Sequence, residues 1–100
     1  MRIIARSTIK AFIERDSSYA DSKEALEAWY HHTLKADWST PEELKVQFKS
    51  ASILQDGRVV FNIAGNKYRL VVWINYAYRV VYIRFIGTHK QYDNIDVQTI

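Results

Sequence analysis

The stretch RVVFNIAGNKYRLVVWINYAYRVVYIRFIGT, Arg58 to Thr88, decides the fold. Its runs RVVFNI, YRLVVWINY and VVYIRFIGT are dense in Val, Ile, Tyr, Phe and Trp, and AGNK and AYR divide them. β-Branched and aromatic side chains suit a pleated, packed surface, and the short Gly-Asn break suits a tight turn. The stretch reads as a three-stranded antiparallel meander. Pairing Ile63 with Tyr68 sets Asn62 opposite Arg69 and Phe61 opposite Leu70. Pairing Tyr76 with Arg79 then yields the apolar pairs Ile74–Val81, Val72–Ile83 and Leu70–Phe85 on one face. A slip of one residue would lose this agreement, so that face is the expected core.

The opposite face carries Asn62, Arg69, Val71, Trp73, Asn75, Tyr82 and Arg84, with Arg84 expected across from Val71 and diagonal to Arg69. Antiparallel pairing brings the start of the middle strand beside the end of the last one. His89 and Tyr92 follow that end within THKQYD. Arg69, Arg84, His89 and Tyr92 can therefore converge at one corner of the open face.

Upstream of the meander the apolar period changes. MRIIA reads as a short opening strand. Ser7 is the expected cap of a helix to about Glu14, with Ile9, Phe12 and Ile13 on one side. Asp21-Ser22-Lys23-Glu24 has capping-box spacing ahead of a second helix, whose stripe is Leu26, Trp29, Tyr30, Thr33 and Leu34. Thr40-Pro41-Glu42-Glu43 starts a third helix running to about Phe48. Runs of helix followed by runs of strand indicate one α+β domain over residues 1–100, an antiparallel sheet with helices packed on one face.

The composition narrows the function. The chain has 100 residues, 48% of them hydrophobic and 14 aromatic, and so can bury a core. With no cysteine it has no disulfide frame, thiolate metal site or cysteine nucleophile. No segment has the length of a membrane span or a signal peptide, so a cytoplasmic protein is expected. The net charge of +3 is a mild bias toward anionic partners.

Two guanidinium groups on one patch repel each other unless an anion lies between them, and their forked donors match phosphate. Histidine changes charge near neutral pH, so His89 can pass protons, while Tyr92 can donate, accept or orient a hydroxyl. Trp73 and Tyr82 offer flat surfaces for unpaired bases. Together these residues suit metal-free RNA cleavage, in which the 2′-hydroxyl attacks phosphorus and the arginines stabilise the phosphorane. Each residue also has a plainer reading: a solvated strand arginine, a capping histidine, or aromatic cover for a sheet face. His31-His32 does not read as a metal site, because adjacent helical residues diverge by about 100° and no carboxylate has a clear ligand spacing. Lys45 and Lys49 are expected one helical turn apart, where they can touch an RNA backbone or simply be solvated.

In VVFNIAGNKYRLVVWINY and VYIRFIGTHKQYD the chain resembles the HigB-type toxins of the RelE/ParE superfamily of bacterial toxin–antitoxin systems, and the order of elements is similar over nearly its whole length. The resemblance implies a RelE-like fold and a ribosome-dependent mRNA endonuclease with no cofactor. Its implied partners are mRNA on the ribosome and a HigA-type helix-turn-helix antitoxin, with operator DNA reached only through the antitoxin complex. It implies that Arg69 and Arg84 bind and stabilise the scissile phosphate, and that His89 and Tyr92 share the proton-transfer and orienting roles. Lys90 would contact backbone phosphate, and Lys45, Lys49 and Lys67 stand where some relatives carry a denser lysine cluster. Asn62, Trp73 and Tyr82 complete the expected RNA-binding face. Two other readings fit the same surface: a ParE-like inhibitor of gyrase, and a non-catalytic RNA- or protein-binding module.

Overall fold

Alternating apolar residues build the centre of the sheet, as a computed structural model describing all 100 residues, Met1–Ile100, shows. The strands are β1 (Arg2–Ile4), β2 (Ser52–Ile53), β3 (Arg58–Ile63), β4 (Tyr68–Asn75) and β5 (Val80–Thr88). They form one five-stranded sheet in the order β1-β5-β4-β3-β2. The β3–β4–β5 meander is antiparallel. β1 pairs with β5 in parallel, and the two-residue β2 closes the other edge beside β3. No helix is long and apolar enough to cross a membrane.

The helices are α1 (Arg6–Arg15), α2 (Lys23–Lys35), α3 (Pro41–Gln47) and α4 (His89–Asp93). Ile9 and Phe12 of α1, Leu26 and Trp29 of α2 and Leu44 of α3 join one buried cluster with the sheet residues Val59, Phe61, Ile63, Leu70, Val72, Ile74, Val81 and Ile86. α1, α2 and α3 thus cover the face that carries Leu70, and Leu70 is fully buried. Trp38, between α2 and α3, is buried as well. Its indole N–H donates to Gln47 Oε1 at 3.0 Å.

Local signals set some helix ends and long-range contacts set others. Thr40 and Glu43 form a reciprocal capping box at the start of α3, with Pro41 in the first turn. Ser7 does not cap α1: the cap position is Ala5, which has no side-chain oxygen, and Ser7 lies inside the helix. Asp21 does not cap α2 either. A 3-10 turn over Ser17–Ser22 precedes that helix, and Asp16 caps the turn by accepting from Ser18 N–H. In the stripe of α2, Leu26, Trp29 and Thr33 are buried, whereas Leu34 is 42% exposed beyond the edge of the covered face.

The expected register holds through Ile63↔Tyr68, Asn62↔Arg69, Phe61↔Leu70, Ile74↔Val81 and Val72↔Ile83. It then shifts by one residue between Val71 and Val72, so Leu70 pairs with Ile86 and Val71 with Phe85. Arg84 is therefore the extra residue of a β-bulge and not the partner of Val71. A bulge sets two residues of one strand against one of the other and re-aims the side chains after it. Its consequence here is to exchange Phe85 and Ile86 between faces. Ile86 enters the helix-covered core, and Phe85 leaves it.

Candidate active site

Three cross-strand rows organise the face away from α1, α2 and α3. The first runs Asn62–Arg69–Gly87, the second Val60–Val71–Phe85 and the third Arg58–Trp73–Tyr82. Val60 and Val71 are buried although neither belongs to the helix-covered cluster, so this face carries its own small apolar layer. Arg58 grips the far end of the chain, its guanidinium donating to the Ile100 carbonyl at 3.1 and 3.2 Å.

The first row meets α4. Thr88 and Gln91 form a second capping box, which turns the chain from β5 directly into α4. His89 opens this helix, and its backbone N–H donates to the Lys67 carbonyl at 3.1 Å. His89 thus sits beside the β3–β4 turn, two residues beyond the partner of Arg69. The Arg69 Nη1 atom donates to the carbonyls of Asn66 and Tyr68 at 3.2 and 3.3 Å, which holds its guanidinium at this corner. Arg84 is exposed and donates no side-chain hydrogen bond to the protein, so its guanidinium is free for a ligand. Tyr92 lies three residues after His89 on α4, a spacing that makes them neighbours on one helix surface, and it is half-buried.

One more chemical group belongs here. His89 Nδ1 lies 3.1 Å from Asp93 Oδ2, one helical turn on. An ionised carboxylate only accepts, so Nδ1 carries the proton and Nε2 keeps its lone pair in the neutral ring. The i,i+4 spacing of His89 and Asp93 is the sequence signal for this pair.

The remaining expected RNA contacts lie apart, some near this corner and some further along the sheet. Asn62 Nδ2 donates to the Ser50 carbonyl at 3.4 Å, which draws the segment carrying Lys49 toward the first row. Lys49 lies beyond the end of α3 at Gln47, so it does not share a helix face with Lys45. The Lys45 ammonium turns to the Ala51 carbonyl. Lys90 is exposed on α4. Trp73 and Tyr82 have ring centroids 5.2 Å apart, with planes tilted by 38°. The Trp73 indole N–H donates to the Asp56 carbonyl at 2.6 Å. Gly57, at φ +81, lets this loop approach β4, because a Cβ there would stand 2.8 Å from the Ile74 carbonyl oxygen.

Lys67 is engaged within the chain: its ammonium lies 2.7 Å from Asp21 Oδ2. The Tyr68 hydroxyl donates to the other oxygen of the same carboxylate. The Lys67 bond, followed by that of Tyr68, lowers the Asp21 pKa below its ordinary 3.8. In return, the bond to Asp21, and after it burial, push the Tyr68 hydroxyl up to about 12. This junction ties the β3–β4 turn, and so the carbonyl that holds His89, to the segment before α2.

A family model described as HigB_toxin, RelE-like toxic component of a toxin–antitoxin system, matches residues 22–95. The chain is 33% identical over 95 residues to the mRNA interferase toxin HigB of Escherichia coli (strain K12), a match spanning 93% of this chain and 88% of that protein. The mRNA interferase HigB of Shigella flexneri matches to the same extent. The mRNA interferase HigB of Escherichia coli O6:H1 is 27% identical over 97 residues, or 95% of this chain and 91% of that protein.

Proposed function

The chain belongs to the HigB toxin family, the RelE-like toxic components of toxin–antitoxin systems, and from that premise we propose that it is an mRNA interferase that cuts mRNA on the ribosome. The observation that carries this reading is the pairing of Arg69 with Gly87, which sets a strand guanidinium beside the helix of His89, Tyr92 and Asp93. A phosphate at that corner meets Arg69 from β4 and Arg84 from the bulge. Cationic donors aimed at developing negative charge are the main source of stabilisation for such a transition state.

In this mechanism the 2′-oxygen forms a bond to phosphorus and the bond from phosphorus to the 5′-oxygen breaks. His89 Nε2 takes the 2′-hydroxyl proton, oriented by the Asp93 carboxylate on Nδ1. Tyr92 supplies a proton to the leaving 5′-oxygen. Lys49 and Lys90 hold flanking phosphates, Lys67 being taken by Asp21, Asn62 lines the same edge, and Trp73 and Tyr82 receive bases further along the sheet. Side chains provide all the charge and all the proton transfers, so the chemical step needs no divalent metal. The regulatory partner in this reading is a HigA-type helix-turn-helix antitoxin, operator DNA is reached only through that complex, and the site of action is the cytoplasm.

Purified ribosomes programmed with mRNA test the proposal. Cleavage that leaves a 2′,3′-cyclic phosphate and a 5′-hydroxyl supports it. Intact mRNA together with inhibition of gyrase supercoiling would replace it with the ParE-like reading. Intact mRNA without gyrase inhibition would leave a binding module.

A further inference from the structure

Phe85 is one of the two residues that the bulge moves from one face to the other. It leaves the helix-covered core, pairs with the buried Val71 on the other face and remains partly exposed there. Its ring does not stand over Val71 alone. A Cβ built on Gly87 would lie 2.5 Å from Phe85 Cζ and 3.0 Å from Cε2, so the ring rests on the Gly87 backbone where a side chain would otherwise be. Gly87 pairs with Arg69, and Arg84 immediately precedes Phe85 in the chain. A partly exposed aromatic ring therefore lies on β5 between Arg84 and Gly87, the residue opposite Arg69.

We infer that Phe85 is a substrate-positioning residue, a platform on which one base of single-stranded RNA beside the scissile phosphate stacks. The inference rests on the interferase reading of the same site. A phenyl face stacks on any base, so it holds a nucleotide without selecting its sequence. Trp73 and Tyr82 cannot take this place, because Trp73 lies two residues along β4 from Val71 and Tyr82 is its partner on β5, one row further from Arg69. Gly87 is part of the device. Any side chain there would lift the ring, and it would also meet Gln91 Oε1 at 2.7 Å, the atom that accepts from Thr88 N–H at the cap of α4. The ring also covers Val71, a structural role that leucine would fill equally well. Stacking is the property that leucine lacks.

The test uses ribosomes programmed with mRNA whose decoding-site nucleotides are 2′-fluoro, so that nothing is cut, with 2-aminopurine at each of those positions in turn. The unsubstituted protein should quench one position. Phe85→Leu should lose that quenching and bind about 10-fold more weakly, within the range of a lost base–aromatic stack. Phe85→Tyr should retain both properties, and Gly87→Ala, which displaces the ring without removing it, should lose the quenching. If Phe85→Leu does not fold, Phe85→Met takes its place as a larger apolar cover. Quenching and affinity unchanged in the aliphatic variant, while the unsubstituted protein cleaves ordinary mRNA, would overturn this inference alone. No cleavage of ordinary mRNA by the unsubstituted protein would overturn the interferase reading and this inference with it.

Discussion

Arg69 of β4 lies directly opposite Gly87 of β5, two residues before His89 opens α4. A strand arginine and a helix N-terminal histidine, twenty residues apart in the chain, therefore share one corner of the sheet. Because Gly87 has no side chain, the space across from Arg69 is shared by the Phe85 ring and, at the proposed site, a substrate phosphate.

Removing either guanidinium should abolish toxicity without unfolding the protein. Arg84 is exposed and unbonded, and Arg69 is bonded only to turn carbonyls. Surface substitutions of this kind cost about 0.5 kcal/mol or less. Loss of one charge-stabilising donor typically slows turnover by about 10²- to 10³-fold. Arg69→Ala and Arg84→Ala should therefore keep their thermal midpoints and lose growth inhibition. Full toxicity at normal expression would remove these residues from the phosphate site.

Substitutions on α4 should slow the chemical step and spare binding. General acid–base groups contribute about 10²- to 10⁴-fold, so His89→Gln and Tyr92→Phe should leave slow but measurable cleavage on ribosomes. Single-turnover rates on saturated complexes measure this directly. Unchanged rates in both variants would reduce α4 to a structural cap.

Leu70→Ala should act through stability alone. The side chain is fully buried beneath the helices, and such a cavity costs about 2–5 kcal/mol. In a domain of this size that lowers the thermal midpoint by about 10 °C or more. A midpoint equal to that of Arg84→Ala would contradict the assignment of the sheet faces.

The junction at Asp21 predicts an acid-sensitive contribution to stability. Its carboxylate has a lowered pKa in the folded state because Lys67, and then Tyr68, bond the charged form. The folded state thus holds this proton less tightly than the unfolded chain does. The contribution is complete above the ordinary value of 3.8 and is lost as pH falls through the lower folded value. Asp21→Asn should flatten the stability curve over that acidic window, as measured by denaturant unfolding at several pH values. A curve with the same acid slope as the unsubstituted protein would show that the junction carries no linkage.

Sequence alone determined the meander, its register from Ile63↔Tyr68 out to Val72↔Ile83, and the start of α3. Each of these follows from patterns spanning a few residues: a period-two apolar alternation closed by short turns, and a Thr40–Glu43 box satisfied within one helical turn. It also set Arg69 beside the segment that leads into His89 and Tyr92, because antiparallel pairing sets the start of β4 beside the end of β5. Tertiary structure decided the bulge at Arg84. Val71 and Phe85 are apolar on a face that also bears arginines, so alternation did not distinguish Phe85 from Ile86 as the core residue. Only competition for the helix-covered face did. Asp21 shows the same limit in another form. Its spacing suits a local cap, yet Lys67 and Tyr68, 46 and 47 residues away, take its carboxylate instead. The parallel pairing of β1 with β5 joins residues nearly 80 apart, and no pattern within either segment encodes that contact. Alternation and capping depend on near neighbours, whereas the position of the Phe85 ring depends on which of two adjacent apolar side chains the folded core can hold.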